Sequence, residues 1–233
     1  RQRQMCIRDR QAVRALQNTP FFPIFDYAKE SSNTIQEAQK YAQKIIQDAH
    51  STPDSAFALK YSSFNDAKLM HETIAQMRSP CIFLDAESNA QHEPETQTFK
   101  ALINTYNTEN ARLYKTYQMY RRDINIELVS DICEHEFLGI KLVRGAYLKE
   151  DTRIACKSKQ RTDAQYNNAL RYIIRKMQSR PNLKLLVATH NNTSINIAIS
   201  MKPDPSRVAF AQLLGMNDAA SYDITKRGYT VYK

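Results

Sequence analysis

Apolar positions alternate along this chain between two spacings. Between Ser31 and Ala49, residues Ile35, Ala38, Tyr41, Ala42, Ile45 and Ile46 recur at helical intervals. That spacing predicts an amphipathic helix, with Ser31 or Ser32 as its N-cap. Beyond it, short apolar runs occur at 56–63, 81–88, 115–120, 139–147, 183–192, 207–215 and 228–233. Helical segments lie between them, among them 66–78, 125–136, 163–177 and 193–201. Strand followed by helix, repeated, predicts a parallel sheet with both faces covered.

Two architectures satisfy such a repeat, an open doubly wound sheet and a closed eight-fold barrel. The open nucleotide-binding form needs a glycine-rich turn after its first strand. The four glycines, Gly139, Gly145, Gly215 and Gly228, form no such motif. The fold class expected is therefore α/β, a (βα)8 TIM-type barrel with an N-terminal helical segment. Seven strand candidates leave that barrel incomplete at the C-terminus, with exposed edges where the eighth strand belongs. The expected division is a tail at 1–10, a helical region at 11–54 and a barrel domain at 55–233.

Composition narrows the classes further. With 42% apolar and 24% charged residues the chain falls in the globular range. A net charge of +9 raises the question of nucleic acid. However, the basic groups at Arg121-Arg122, Arg171 to Arg175 and Lys226-Arg227 are interrupted by acidic residues, and no recognition spacing is present, so no nucleic-acid partner is expected. Cys6, Cys81, Cys133 and Cys156 form neither a C-x-x-C pair nor a metal-ligand spacing, so no metal is expected. No apolar run approaches the length of a membrane span, which limits membrane contact to the periphery.

In a barrel the chemistry sits at the C-terminal ends of the strands. Those ends read Lys60, Asp85, Gln118, Arg144 with Tyr147, His190 with Asn191, and Gln212. Taken singly, each is equally a solvated loop residue or a satisfied core polar group. Their recurrence on successive strands describes a mouth with a cationic rim, a carboxylate, and amide and imidazole donors. Such a mouth suits an anionic cofactor with a zwitterionic substrate.

The run KLVRGAY at 141–147 resembles the signature strand of the proline dehydrogenase family, and other segments match in family order. ALKYSS (58–63) is similar to the first-strand lysine motif, FLDAES (83–88) to the second-strand aspartate motif, and YKTYQMY (114–120) to the third-strand segment. VATHNN (187–192) and FAQLLGM (210–216) resemble the fifth and sixth strands, and GYTVYK the entry to the seventh.

The resemblance implies an FAD-dependent oxidation of L-proline to Δ1-pyrroline-5-carboxylate, with electrons passed to a membrane quinone. The alternatives it leaves are a hydroxyproline dehydrogenase and a truncated, non-catalytic flavin-binding barrel. It implies that Lys60 pairs with the substrate carboxylate and that Asp85 holds the active-site cations. It places Leu142 and Tyr147 against the substrate ring, and Lys141 and Arg144 against the flavin and its pyrophosphate. Gln118, Val143, Gly145, Ala146, Thr189, His190, Asn191 and Gln212 complete the cofactor site that it implies. In place of the family's glutamate shortly after GAY the chain reads LKED, so Glu150 or Asp151 takes that role. A substrate-packing tyrosine and a pair of carboxylate-clamping arginines are expected beyond Lys233. The wording of KLVRGAY and TYQMYRR is similar to the eukaryotic members, which implies a mitochondrial location on the matrix side of the inner membrane.

Overall fold

A computed structural model describes residues 15–16, 18–27 and 32–233; the expected tail at 1–10 lies outside the described residues. Eight parallel strands run in sequential order around one sheet. They are β1 (Ile24–Asp26), β2 (Ala56–Lys60), β3 (Ile82–Asp85), β4 (Leu113–Gln118), β5 (Leu138–Val143), β6 (Leu183–Ala188), β7 (Val208–Ala211) and β8 (Thr230–Tyr232). Between them lie α1 (Ile35–Ser51), α2 (Ala67–Gln76), α3 (His92–Tyr106), α4 (Ile124–Glu134), α5 (Lys159–Lys176), α6 (Asn192–Ser200) and α7 (Asp218–Lys226). The α/β barrel is thus the fold.

The expected gap in the sheet is corrected by the structure. All seven anticipated strands form, and the eighth is β1, inside the segment assigned to a helical region. It pairs with β2 along Ile24↔Ala56 to Asp26↔Ala58. It also reaches β8, because Phe22 N donates to Val231 O at 2.9 Å and Ile24 N to Lys233 O at 2.8 Å. Lys233 N donates back to Phe22 O at 2.8 Å, so the sheet meets itself and the edges are paired. Pro20 and Pro23 hide this strand from pattern reading, since proline within a run marks it as a non-strand. Here Pro23 sits just before the first residue of β1, where its missing donor costs nothing to the ladder.

The start of α1 is a second correction. The cap is Thr34 rather than Ser31 or Ser32: its side chain accepts from Glu37 N at 3.2 Å, and Glu37 accepts from Asn33 N at 3.1 Å. Ser32 instead donates to Ser63 O at 2.7 Å and ties the helix entry to the end of β2. Ala38, Tyr41, Ala42, Ile45 and Ala49 form the buried stripe of α1, while Ile35 is exposed.

Strand alternation divides the core into two shells. One set of side chains, including Phe57, Leu59, Leu84, Tyr117, Leu142, Val187 and Phe210, packs in the large cluster with the helices. The alternate set, Ala56, Ala58, Phe83, Tyr114, Leu186 and Ala211, forms a separate cluster within the barrel. That smaller cluster is the floor on which the polar mouth residues stand.

Candidate functional site

Above this floor the strand ends open onto a cleft of about 620 Å³. That volume is within the range of small-molecule sites, about 300–1,000 Å³. Its walls bring together Lys60, Asp85, Gln118, Lys141, Val143, Arg144, Gly145, Ala146, Tyr147, Thr189, His190 and Asn191, all of them singled out by sequence.

Register explains why four of the polar groups share one layer. Lys60 on β2 pairs with Asp85 on β3, Leu84 pairs with Lys115 and so sets Asp85 beside Thr116, and Thr116 on β4 pairs with Lys141 on β5. Lys141 Nζ forms an ion pair with Asp85 Oδ1, and Thr116 Oγ1 donates to the same oxygen at 3.2 Å. Asp85 therefore fixes the Lys141 ammonium in the cleft wall. Lys60 Nζ pairs with Asp26 Oδ1 at 2.8 Å, a partner supplied by β1.

The next turn of chain carries the remaining donors. Gln118 Nε2 donates to Ala86 O at 2.8 Å, and its buried Oε1 has no hydrogen-bond partner among the described residues. His190 accepts from Leu213 N at Nε2, 3.4 Å away, and its buried Nδ1 likewise has no partner among the described residues. Burial, with a smaller contribution from Lys233, pushes His190 below the usual imidazole value, so the neutral ring prevails at pH 7. Asn191 caps α6 by accepting from Ser194 N at 3.1 Å, which points the α6 N-terminus at the cleft wall.

Arg144 is held on three sides. Nε donates to Asp163 Oδ1 at 2.6 Å, Nη1 to Thr189 Oγ1 at 2.9 Å and Nη2 to Ser194 Oγ at 3.0 Å. The guanidinium lies 4.3 Å over the Tyr166 ring. Just beyond it, Gly145 takes φ +111°, and a Cβ there would meet the Tyr120 ring at 2.1 Å. Only glycine fits that step.

Two anticipated residues stand apart from the cleft. Leu142 lies between the cleft-lining Lys141 and Val143, and alternation turns it into the outer core, where it is fully buried. It therefore does not pack against a ligand in the cleft. Gln212 is buried beneath the β6 end: Nε2 donates to Thr189 O at 3.2 Å, and Oε1 accepts from Ser221. Its contacts support Thr189 rather than the cleft.

Of the two candidates after Tyr147, Asp151 is the buried one. It accepts from Tyr120 Oη at 2.5 Å and from Asn89 N at 2.9 Å, whereas Glu150 is exposed. Asp26, Thr116, Asp163 and Ser194 carry no strand-end signal of their own. Asp26 ends a strand that pattern reading does not recognise, and Asp163 and Ser194 reach the site from helices.

Comparison with known proteins agrees with this geometry. Residues 10–233 match the family model described as proline dehydrogenase. The mitochondrial proline dehydrogenase 1 of Homo sapiens is 29% identical over 171 residues, covering 65% of this chain and 28% of the human protein. A hydroxyproline dehydrogenase of Rattus norvegicus is 33% identical over 144 residues, covering 54% of this chain and 32% of the rat protein. The crystal structure of proline utilization A from Bdellovibrio bacteriovorus, inactivated by N-propargylglycine, superposes with a TM-score of 0.81 at 17% identity. It covers 95% of this chain and 29% of that one. The chain thus spans about three tenths of the length of these relatives.

Proposed function

Because this chain belongs to the proline dehydrogenase family, we propose that it oxidises L-proline to Δ1-pyrroline-5-carboxylate with FAD. The electrons pass on to a quinone. The observation that carries this reading is the cleft itself. It combines a row of paired cations with a buried acceptor, Gln118 Oε1, and a buried donor, His190 Nδ1–H, neither of which has a hydrogen-bond partner among the described residues. Buried polar atoms without partners are costly, and a flavin cofactor with ring and phosphate groups offers donors and acceptors in that volume.

When bound, FAD supplies the acceptor for the hydride that leaves the proline ring carbon beside nitrogen. The chain's residues bind, orient and exclude water. Lys60 offers a charge to the substrate carboxylate, with Asp26 fixing the ammonium. Lys141, held by Asp85, and Arg144 present positive charge to the cofactor. Tyr147 and Val143 supply apolar surface that keeps water from the ring. Gln118, Gly145, Ala146, Thr189, His190 and Asn191 complete the cofactor wall.

The test has two arms. Arg144→Met should release most of the bound flavin, read by visible absorbance; a full flavin load in that variant would refute the assignment. Lys60→Ala should weaken proline binding by about 1.5–3 kcal/mol, read as a raised KM. The similarity to a rat protein named hydroxyproline dehydrogenase supports a second substrate, hydroxyproline. Comparing kcat/KM for the two imino acids decides between them. The mitochondrial names of several relatives support a mitochondrial site of action, with peripheral contact to the matrix face of the inner membrane where the quinone resides.

A further inference from the structure

Arg144 is the most heavily constrained cation at the mouth, and the constraint comes from outside the strand ends. A guanidinium has five N–H groups. Three are committed, one each to Asp163, Thr189 and Ser194, which leaves one N–H on each terminal nitrogen without a partner among the described residues. Ser194 is itself locked, since its Oγ donates to Asn167 Oδ1 at 2.7 Å. The face of the guanidinium lies on Tyr166. Asp163 and Tyr166 stand three residues apart on α5, so a single helix turn supplies both the counter-charge and the platform.

We infer that Asp163 is a positioning residue: it fixes the Arg144 guanidinium so that its two uncommitted N–H groups face the cleft as a paired donor for an anionic group of the cofactor. This rests on the functional reading above. The remaining contacts to Arg144 are neutral hydroxyls, so Asp163 is the one charged partner that Arg144 has among the described residues. Asp163 also binds Lys159 at 2.6 Å, but that side chain is 76% exposed. Removing the Asp163 charge would free the Arg144 side chain to other rotamers and leave its positive charge undiluted. Both consequences reach the cofactor through Arg144, and the cycle below separates them from any effect on Lys159, which lines the cleft and shares the Asp163 carboxylate.

The experiment is a cycle of Asp163→Asn, Arg144→Met and the double variant. FAD dissociation constants come from fluorescence titration of apoprotein, and midpoint potentials from dye-coupled photoreduction of whatever flavin binds. Circular dichroism melting establishes that each variant is folded. Asp163→Asn should weaken FAD binding about tenfold or more, as expected for misplacing a charge-assisted donor pair, and should raise the midpoint potential. In the Arg144→Met background the same change should do nothing, and Asp163→Glu should restore much of the binding. An unchanged dissociation constant and potential in Asp163→Asn would overturn the proposal. So would an equal loss in both backgrounds, because Asp163 would then act independently of Arg144. If the unsubstituted protein binds no FAD, the functional reading falls and takes this inference with it; binding by the unsubstituted protein with an indifferent Asp163 defeats the inference alone.

Discussion

Glu95 shows how strongly one position can feel its surroundings. Only 2% exposed, it accepts from Glu87 N through both oxygens, at 3.1 and 3.2 Å. Burial, aided by the neighbouring Glu87 charge and opposed by Arg121, raises its pKa to about 8. A carboxyl that binds its proton more tightly when folded contributes most below its unfolded value of 4.5, and that contribution is lost as pH rises to about 8. Glu95→Gln keeps an acceptor for Glu87 N and removes the titration. Its stability relative to the unsubstituted protein should therefore rise between pH 4.5 and 8 by at least about 1 kcal/mol, one pKa unit being worth about 1.4 kcal/mol. Urea melts at both ends of that range measure it, and a pH-independent difference would show that Glu95 ionises normally. Gly145→Ala should behave oppositely, costing more than about 2 kcal/mol at any pH, since both the backbone angle and the Tyr120 ring oppose a Cβ. Differential scanning calorimetry reads that loss directly.

Among the elements, β4 and α4 carry an uncommon joint. Lys115 is 2% exposed on the helix-facing side of its strand, where apolar side chains are the rule. It is matched there by Glu127 and Asp131, each at 2.6 Å. Tyr117 donates to Asp131 at 2.8 Å, and His92 at the start of α3 reaches Glu127 at 3.0 Å. Burial acts to raise the Glu127 carboxyl, but His92 and Lys115 outweigh it and bring the pKa down to about 2. That stabilisation is present above the ordinary value of 4.5 and is lost as pH falls through about 2. Truncating the central cation would remove the closest counter-charge of both carboxylates, leaving Glu127 to His92 and Asp131 to Lys100 at 3.6 Å, so Lys115→Met should cost about 3 kcal/mol at pH 7. The deficit should shrink by pH 4, where Glu127, no longer held down by Lys115, can take up a proton. Chemical denaturation at the two pH values tests this, and an equal deficit at both would assign the loss to packing.

At the scale of the whole molecule, β1 decides whether the sheet has edges. Its contacts to β8 run through the backbone of Phe22, Ile24 and Lys233. Ile24→Pro deletes the donor to Lys233 O and should destabilise the barrel by about 3 kcal/mol or more. It should also promote association through the exposed edges of β1 and β8. Equilibrium unfolding and light scattering together report both effects. A variant as stable and monodisperse as the parent would mean that the β1–β8 contact contributes little.

The repeat of apolar runs and helical segments by itself determined the barrel class, because a covered parallel sheet needs that period and the glycines needed for the open alternative are missing. It also determined most of the mouth, since polar residues at strand ends such as Lys60, Asp85, Gln118 and His190 converge in any such barrel. What the tertiary structure alone decided depends on register and on long-range pairing. Alternation about Lys141 sent Leu142 into the outer core, closure through Phe22 and Lys233 turned a proline-flanked tripeptide into the eighth strand, and helices brought Asp163 and Ser194 to Arg144 from 19 and 50 residues away. Local sequence carries the period of an element, whereas partners so distant along the chain are chosen only when packing brings the elements together.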